Sequence, residues 1–138
     1  MTQTAKGWFT LHRYFIWADR MMVHFEDVLR SGKKGDDNFD TNSLLYMSYW
    51  YAGTYVVIEG WKELKLSDET VDGLLKSRNV DLLRKYRNGV FHFQEQYYDE
   101  RRFAPLITEG DDVVIWIRTL REALGQYFLK RLAEARPS

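Results

Sequence analysis

The sequence predicts an all-α fold, a helical bundle of four long helices plus one short helix, in a single domain that spans residues 1–138. Apolar residues recur at spacings of three and four over most of the chain, which is the period of helices with one buried face. There are only two prolines, and the first is Pro105, so nothing interrupts a long helix before that point. The segments between the periodic stretches are short, as they are in bundles.

Composition narrows the classes of function. Twenty basic and 20 acidic residues give a formal net charge of zero, so the charge of the whole chain does not argue for nucleic acid. The absence of cysteine excludes disulfides, thiol nucleophiles and thiolate metal sites. Residues 1–13 lack the charged-then-apolar order of a signal peptide, and no apolar run approaches the ~20 residues that span a bilayer. We therefore expect a cytoplasmic protein without a membrane partner.

The first half of the chain predicts two long helices. The first, over residues 7–30, has a wide apolar face, which suggests contact with more than one neighbour or with a second subunit. A loop rich in Gly, Lys and Asp is expected over residues 31–42, and Thr41, Asn42 or Ser43 would cap a second helix that runs to residue 66. The second helix is apolar nearly all round, which predicts a position in the middle of the bundle. Glu59 within it either pairs with a partner or reaches solvent along the thin polar edge.

The second half predicts one short helix and two long ones. Residues 67–70 read Ser-Asp-Glu-Thr, a capping signature for a short helix over residues 68–77. Asn79 or Asp81 would cap a helix over residues 80–98, whose apolar stripe includes Phe93 and Tyr97. Residues 99–105 lead into a loop. The last helix is expected over residues 112–135, although the stretch at 113–117 is β-prone in isolation.

The usual catalytic and nucleotide-binding motifs are missing from the sequence. The three histidines are His12, His24 and His92, and none belongs to an HExxH or Glu-x-x-His pattern. His12 and His24 would lie about 18 Å apart along one helix, too far to share an ion. There is no GxGxxG, no GxxxxGK[ST] and no nucleophile elbow around a serine. We predict no metal and no cofactor.

One stretch, residues 87–92, concentrates reactive groups inside the helix predicted over residues 80–98. Arg87 offers a fixed cation suited to a phosphate, and His92 can exchange a proton near neutral pH. Asn88 lies four residues before His92, so the two would share a helical face, whereas Arg87 would point about 140° away. Arg87 would reach His92 by curling, or a second subunit would bring another copy into one cleft. An Arg and a His at such spacing also occur by chance, as Arg20 and His24 do in this chain.

The pattern Arg-Asn-x-x-x-His on the penultimate long helix of a bundle resembles the HEPN superfamily (higher eukaryotes and prokaryotes nucleotide-binding). Here the matching residues are Arg87, Asn88 and His92. The resemblance implies a metal-independent endoribonuclease that acts as a homodimer with paired motifs in a shared cleft. Many such proteins are toxins or defence RNases, some with an antitoxin protein as partner. Gln94 stands where toxins paired with nucleotidyltransferase-type antitoxins often carry a tyrosine.

We therefore expect His92 to act as general acid and base, Arg87 to stabilise the phosphate and Asn88 to orient them. Glu59 is the candidate partner of Arg87. Four cations could form a rim that binds the RNA backbone, or could be solvated surface charges: Arg84, Lys85, Arg101 and Arg102. The alternative function is a non-catalytic HEPN-like dimer that binds a nucleotide or a protein.

Overall fold

The chain folds into helices throughout the part that the computed structural model describes, which is residues 2–32, 37–93, 95 and 100–135. Those residues form six helices and no strand. The helices are α1 (Gln3–Ser31), α2 (Asp37–Glu63), α3 (Glu69–Leu74), α4 (Asn79–Phe91), α5 (Glu100–Glu109) and α6 (Val113–Ala135). The predicted all-α class is confirmed. Across the described residues, no helix combines the length and apolar character needed to cross a membrane.

Helix α2 occupies the centre of the bundle, as its all-round apolar sequence predicts. It packs along α1 on one side and against α4 on the other. Its Trp50, Val57 and Trp61 are buried in the core. Small side chains bring α1 and α2 close together, because a Cβ added to Gly53 would lie only 3.2 Å from the Cβ of Ala18.

Helix α6 completes the core, and its β-prone first turn is helical, as the continuing apolar period predicts. Its buried side chains are Trp116, Ile117, Leu120, Leu124, Tyr127 and Phe128. Phe128 packs against Phe15 of α1, with ring centroids 5.2 Å apart. The Arg121 Nε donates to Asp19 Oδ1 at 2.6 Å, which adds a polar tie between α6 and α1.

The structure corrects the start of α2. The helix begins at Asp37, so the predicted caps at Thr41, Asn42 and Ser43 are wrong and half of the predicted loop is helical. The physical reason is Phe39, whose ring fills the space that a Cβ at Gly32 would occupy and so anchors an extra turn against the end of α1. By contrast, a cap does lie within the predicted capping signature, because Asp68 is the N-cap and accepts from the Val71 N–H at 3.0 Å, although the short helix runs over Glu69–Leu74 rather than to residue 77.

Helix α4 is shorter than predicted. It ends at Phe91 rather than near residue 98, and His92 adopts extended backbone. Phe93 is 93% exposed, so its ring provides no burial to hold a further helical turn. Tyr97, the other residue predicted to continue the apolar stripe, lies outside the described residues. The predicted caps are also wrong, because Asn79 is already inside the helix and its side chain bonds elsewhere.

The expected loop after residue 99 is instead helix α5, which contains Pro105. The proline has no N–H, so the carbonyl four residues earlier loses its helical donor. Burial offsets this loss. Leu106 is fully buried, and Phe103 meets Tyr86 of α4 edge-on with ring centroids 5.1 Å apart. Tertiary packing therefore decides the conformation of a segment that its proline alone would leave irregular.

Candidate functional site

The guanidinium of Arg87 is held at the junction of α4 and α2 by three neighbours. Its Nε donates to the Asn88 Oδ1 at 2.9 Å, and its Nη1 lies 3.5 Å from the Glu59 Oε1. Its Cζ lies 4.8 Å from the centroid of the Tyr55 ring, which is cation–π geometry. The Arg87 side chain is 19% exposed, so it is a largely covered but accessible cation.

From the sequence, Glu59 was expected either to pair with a partner or to reach solvent, and in the structure it does both. It pairs with Arg87, and yet its side chain is 51% exposed, so it is not a buried partner. Exposure allows water to solvate the carboxylate, which is why a glutamate is tolerated within the apolar run of α2. The Arg87–Glu59 pair is therefore partly hydrated and open to competition from another anion.

Tyr55 is a part of the site that the sequence reasoning missed. It lies four residues before Glu59 on α2, so helical geometry places both on one face, and that spacing is the signal that could have identified it. Burial raises the pKa of Tyr55, and the neighbouring Glu59 raises it further, while Arg87 acts in the opposite direction. The phenol therefore stays neutral around Arg87, which makes its ring a support rather than a source of charge.

The position of His92 differs from the expected one. Since α4 ends at Phe91, His92 does not share a helical face with Asn88, and that geometric expectation is wrong. The two residues are linked through the backbone instead, where the His92 N–H donates to the Asn88 carbonyl at 3.1 Å. His92 is exposed at the end of the helix. Its imidazole is thus carried by a short extended segment one turn beyond Arg87.

Two of the four cations predicted to form a rim, Arg84 and Lys85, share one acidic neighbour. Arg84 donates through Nε and Nη2 to Asp81 Oδ1 at 3.1 and 2.9 Å, and Lys85 lies 3.9 Å from the same carboxylate. Both lie on the exposed side of α4. Arg102 is half-buried on α5. Arg101 belongs to the same helix, but its side chain lies outside the part that is described.

Two aromatic contacts flank the candidate site and were not anticipated. Phe91, immediately before His92, stacks on Tyr49 of α2 with ring centroids 5.6 Å apart, and both rings are exposed. On the other side of α4, Gly89 lets the Phe103 ring approach, because a Cβ at residue 89 would lie 2.7 Å from the Phe103 Cζ. The glycine inside the motif therefore serves the packing of α5 and the position of the helix end.

The other two histidines have separate surroundings. His12 stacks on Trp8 and contacts Phe128, with centroids 5.7 and 5.0 Å apart, and burial lowers its pKa. His24 stacks on Tyr46 with centroids 5.2 Å apart. Among the described residues, no three His, Cys, Asp or Glu side chains come together as a group that could hold a metal ion.

Arg87 and His92 supply two chemical functions, a cation that can bind an anion and an imidazole that can transfer a proton. A guanidinium presents five N–H donors, and the contacts to Asn88 and Glu59 use the Nε–H and one on Nη1. A tetrahedral anion that displaced Glu59 would meet a cation already fixed by the Tyr55 ring and the Asn88 amide. The exposed imidazole of His92, nearby on the chain, is a group that can act as a general acid or base. These groups suit an oxyanion substrate.

Comparison of the chain with protein-family models, with curated proteins and with solved structures finds no match in any of the three.

Proposed function

We propose that this chain is a metal-independent endoribonuclease of HEPN type whose site is completed by a second copy of the chain. The observation that carries the proposal is the fixed guanidinium of Arg87. Tyr55 and Asn88 hold it in place one turn before the exposed His92, and its acidic partner Glu59 is exchangeable. A phosphodiester needs such a preset cation, because negative charge grows on its oxygens as the nucleophile attacks.

In the proposed reaction the nucleophile comes from the RNA itself. The neutral His92 imidazole takes the proton of a ribose 2′-hydroxyl, and the 2′-oxygen attacks the adjacent phosphorus. Arg87 binds the non-bridging oxygens, and Asn88 keeps the guanidinium oriented through its Oδ1. The bond from phosphorus to the 5′-oxygen breaks, and that oxygen leaves with a proton. The products are a 2′,3′-cyclic phosphate and a free 5′-hydroxyl.

The proton for the leaving oxygen is the reason for proposing a homodimer. A single imidazole that has just accepted the proton of the 2′-hydroxyl faces the nucleophile side of the phosphorus. An in-line displacement puts the leaving oxygen on the opposite side. A second His92, protonated and contributed by another copy of the chain, supplies that proton without a metal ion. The exposed position of His92 at the end of α4 leaves it accessible to a partner.

The proposal is tested by incubating purified protein with single-stranded RNA in excess EDTA and following cleavage on a gel. We expect cleavage by the wild type and a loss of roughly 100-fold or more for His92→Ala, since general acid–base catalysis contributes about that much. His24→Ala is the matched control, because His24 is also an exposed histidine, and it should cleave like the wild type. Sedimentation should show a dimer.

Equal cleavage by the wild type and His92→Ala, with both proteins folded by circular dichroism, would contradict the proposal. A cyclic phosphate at the 3′ end of the product, identified by mass spectrometry, separates the proposed chemistry from a contaminating metal-dependent nuclease. Such nucleases leave a 5′-phosphate when water attacks and the 3′-oxygen departs.

A second candidate is a non-catalytic HEPN-like dimer that binds a nucleotide or a protein. The observation in its favour is that Arg87 already has partners on two helices of its own subunit, which is also what a purely structural arginine has. For this candidate, calorimetry should detect binding of a nucleotide or a protein partner that does not depend on His92, and no RNA should be cleaved.

A further inference from the structure

An aromatic slot lies on the surface next to the candidate site, between α1 and α2. It has a volume of about 380 Å³. We use the name aromatic slot for the space lined chiefly by Tyr14, Trp17, Ala18, Tyr49, Gly53 and Phe91. None of the described residues that line it carries a charge. Its volume falls within the roughly 300–1,000 Å³ of small-ligand pockets.

The walls of the slot are mainly aromatic. Trp17 and Tyr14 of α1 form one side and meet edge-on, with centroids 5.6 Å apart. The stacked pair of Tyr49 and Phe91 forms the other side. The floor is Ala18 against Gly53, which are small enough to leave the space between the aromatic walls open. Aromatic rings from α1, α2 and α4 therefore line the slot.

The aromatic walls of the slot are solvent-exposed, which is unusual for such large rings. Trp17 is 54% exposed, and Tyr14, Tyr49 and Phe91 are exposed as well. Contiguous exposed aromatic surface of this kind marks a binding site more often than a lone exposed apolar residue does. The bound group should thus be one that gains from stacking.

Charges around the slot indicate which planar group it takes. Arg13 lies over the outer wall, with its Cζ 4.8 Å from the Trp17 ring and 5.4 Å from the Tyr14 ring. On α4, Arg87 lies four residues before the lining residue Phe91. An apolar slot with the Arg13 guanidinium over its outer wall, and with Arg87 one helical turn before Phe91, complements a planar uncharged base attached to a chain of phosphates. A neighbouring cavity is lined by Glu59 and Glu63 together with Lys6, so it offers less positive charge to that chain than the slot with Arg13 does.

The slot is also continuous with the proposed reaction centre. Phe91 is the residue before His92, and it lies four residues, about one helical turn, after Arg87. A nucleotide whose base occupied the slot would have its ribose and phosphate near the end of α4. The same strand could therefore place one base on Phe91 and the adjoining phosphate against Arg87.

We propose that the aromatic slot binds an unpaired nucleobase of single-stranded RNA, between Trp17 on one side and the Tyr49–Phe91 pair on the other. This inference rests on the proposed function, because it names the substrate of that same site as a single-stranded RNA. Double-stranded RNA is disfavoured, since its bases are already stacked and cannot enter the slot. From the sequence, the wide apolar face of the first helix had suggested contact with more than one neighbour or with a second subunit.

The test measures binding separately from cleavage. In the His92→Ala protein, fluorescence anisotropy follows a short fluorescein-labelled single-stranded RNA. We expect Trp17→Leu and Tyr49→Leu each to weaken binding by roughly 5- to 100-fold, the effect of losing one stacked base. Trp17→Phe should restore most of the affinity, because a flat ring remains. Phe9→Leu is the matched control, since Phe9 is 46% exposed on the same helix but outside the slot, and it should bind like the parent.

A second RNA tests whether the slot binds the base or the phosphates. The same strand with abasic nucleotides keeps every phosphate and loses every base. It should bind the parent and Trp17→Leu with equal affinity. A perfect duplex should likewise show no difference between the two proteins.

Three results would overturn the inference. The first is unchanged binding by both leucine variants, with circular dichroism showing them folded. The second is a difference between parent and variant that persists on abasic RNA. The third is a fall in sedimentation mass for Trp17→Leu, which would show that the slot is covered by a second copy of the chain. RNA cleavage by the wild type with any of these results would leave the proposed function standing, and slot-dependent binding without cleavage would overturn only the proposed function.

Discussion

Helix α4 carries an asparagine near each end, and the two side chains meet opposite environments. Asn79 is 0% exposed, its Nδ2 donates to the Asp111 carbonyl at 2.7 Å and its Oδ1 accepts from the Asp111 N–H at 2.8 Å. Asn88 is half-buried, and its Oδ1 accepts from a charged side chain, Arg87. The first amide joins two backbone segments, whereas the second orients a cation towards solvent. Burial and the type of partner, rather than residue type, separate a structural asparagine from a candidate functional one.

The surroundings of the two asparagines differ in the same way, being structural at Asn79 and accessible to solvent at Asn88. Near Asn79, indole N–H groups are paired with oxygens of α3: the Trp61 Nε1 donates to Asp72 Oδ1 at 2.9 Å, and the Trp116 Nε1 donates to the Leu74 carbonyl at 3.0 Å. Near Asn88, the neighbours are the exposed Glu59, His92 and Phe91. We call the first region the α3 junction and the second the Arg87 end. The α3 junction links α2 and α6 to α3 through hydrogen bonds, whereas the Arg87 end is accessible to a ligand.

The largest expected effect on stability comes from replacing Asn79 with alanine, and the same replacement at Asn88 is the comparison. Asn79→Ala removes two hydrogen bonds and leaves the backbone of Asp111 to find new partners, so it should lower the free energy of unfolding by about 2–3 kcal/mol. Asn88→Ala should cost about 1 kcal/mol or less, because its surroundings admit water. Urea titration of both variants measures the difference. Equal losses would show that the two ends of α4 are equally structural.

The role of Asn79 illustrates what the sequence could not reveal. An asparagine before an apolar stripe predicts a local helix cap, because capping joins residues two or three apart. Its actual partner is Asp111, 32 residues away, and only the tertiary fold brings the two together. The cap at Asp68 was predictable for the converse reason, since its bond to Val71 is local.

The same limit applies to the helices. Periodicity predicted the all-α class, the central position of α2 and the helical state of residues 113–117, because each depends on a regular apolar pattern. It failed at α5, where burial of Leu106 outweighs the presence of Pro105. It also failed at the end of α4, where the exposed Phe93 continues the pattern but buries nothing.

At the Arg87 end, the sequence indicated the reactive groups but not their support. Pairing of Arg87 with Glu59 was foreseen, although not the exposure of the pair. Tyr55 went unrecognised because, in an all-round apolar helix, a tyrosine looks like part of the core. The side-chain geometry of Asn88 and His92 was wrong because it assumed a helix that continues past Phe91.

An intermediate effect is expected at the α3 junction from Asp72→Asn, and it should depend on pH. The hydrogen bond from Trp61 holds the pKa of Asp72 below its ordinary value, with further support from the Asp68 N–H and Ser67. A depressed carboxylate pKa means that the unfolded chain binds the proton more readily. The stabilisation is therefore present above the unfolded pKa of about 4 and is lost as pH falls through the lower folded value.

Unfolding in urea at a series of pH values tests this expectation. Asp72→Asn should be less stable than the wild type by about 1 kcal/mol at pH 7, and the difference should shrink as the pH is lowered towards 3. Glu69→Gln is a control in the same turn of α3, which retains the Trp61–Asp72 bond. A difference that stays constant over this range would mean that the charge of Asp72 does not contribute.

The smallest effect on stability is expected at the Arg87 end, from Glu59→Gln. The carboxylate is half exposed and lies 3.5 Å from the guanidinium, so losing its charge should cost under about 1 kcal/mol, as for other exposed ion pairs. RNA should bind the variant at least as tightly as the parent, since an anion that competes for Arg87 has been removed. Urea titration and anisotropy measure both quantities, with Glu63→Gln as the exposed control one turn further along α2. A loss of stability as large as that of Asn79→Ala would make the Arg87–Glu59 pair a structural tie. The contrast between the two ends of α4 would then fail, and the case for a ligand at Arg87 would fail with it.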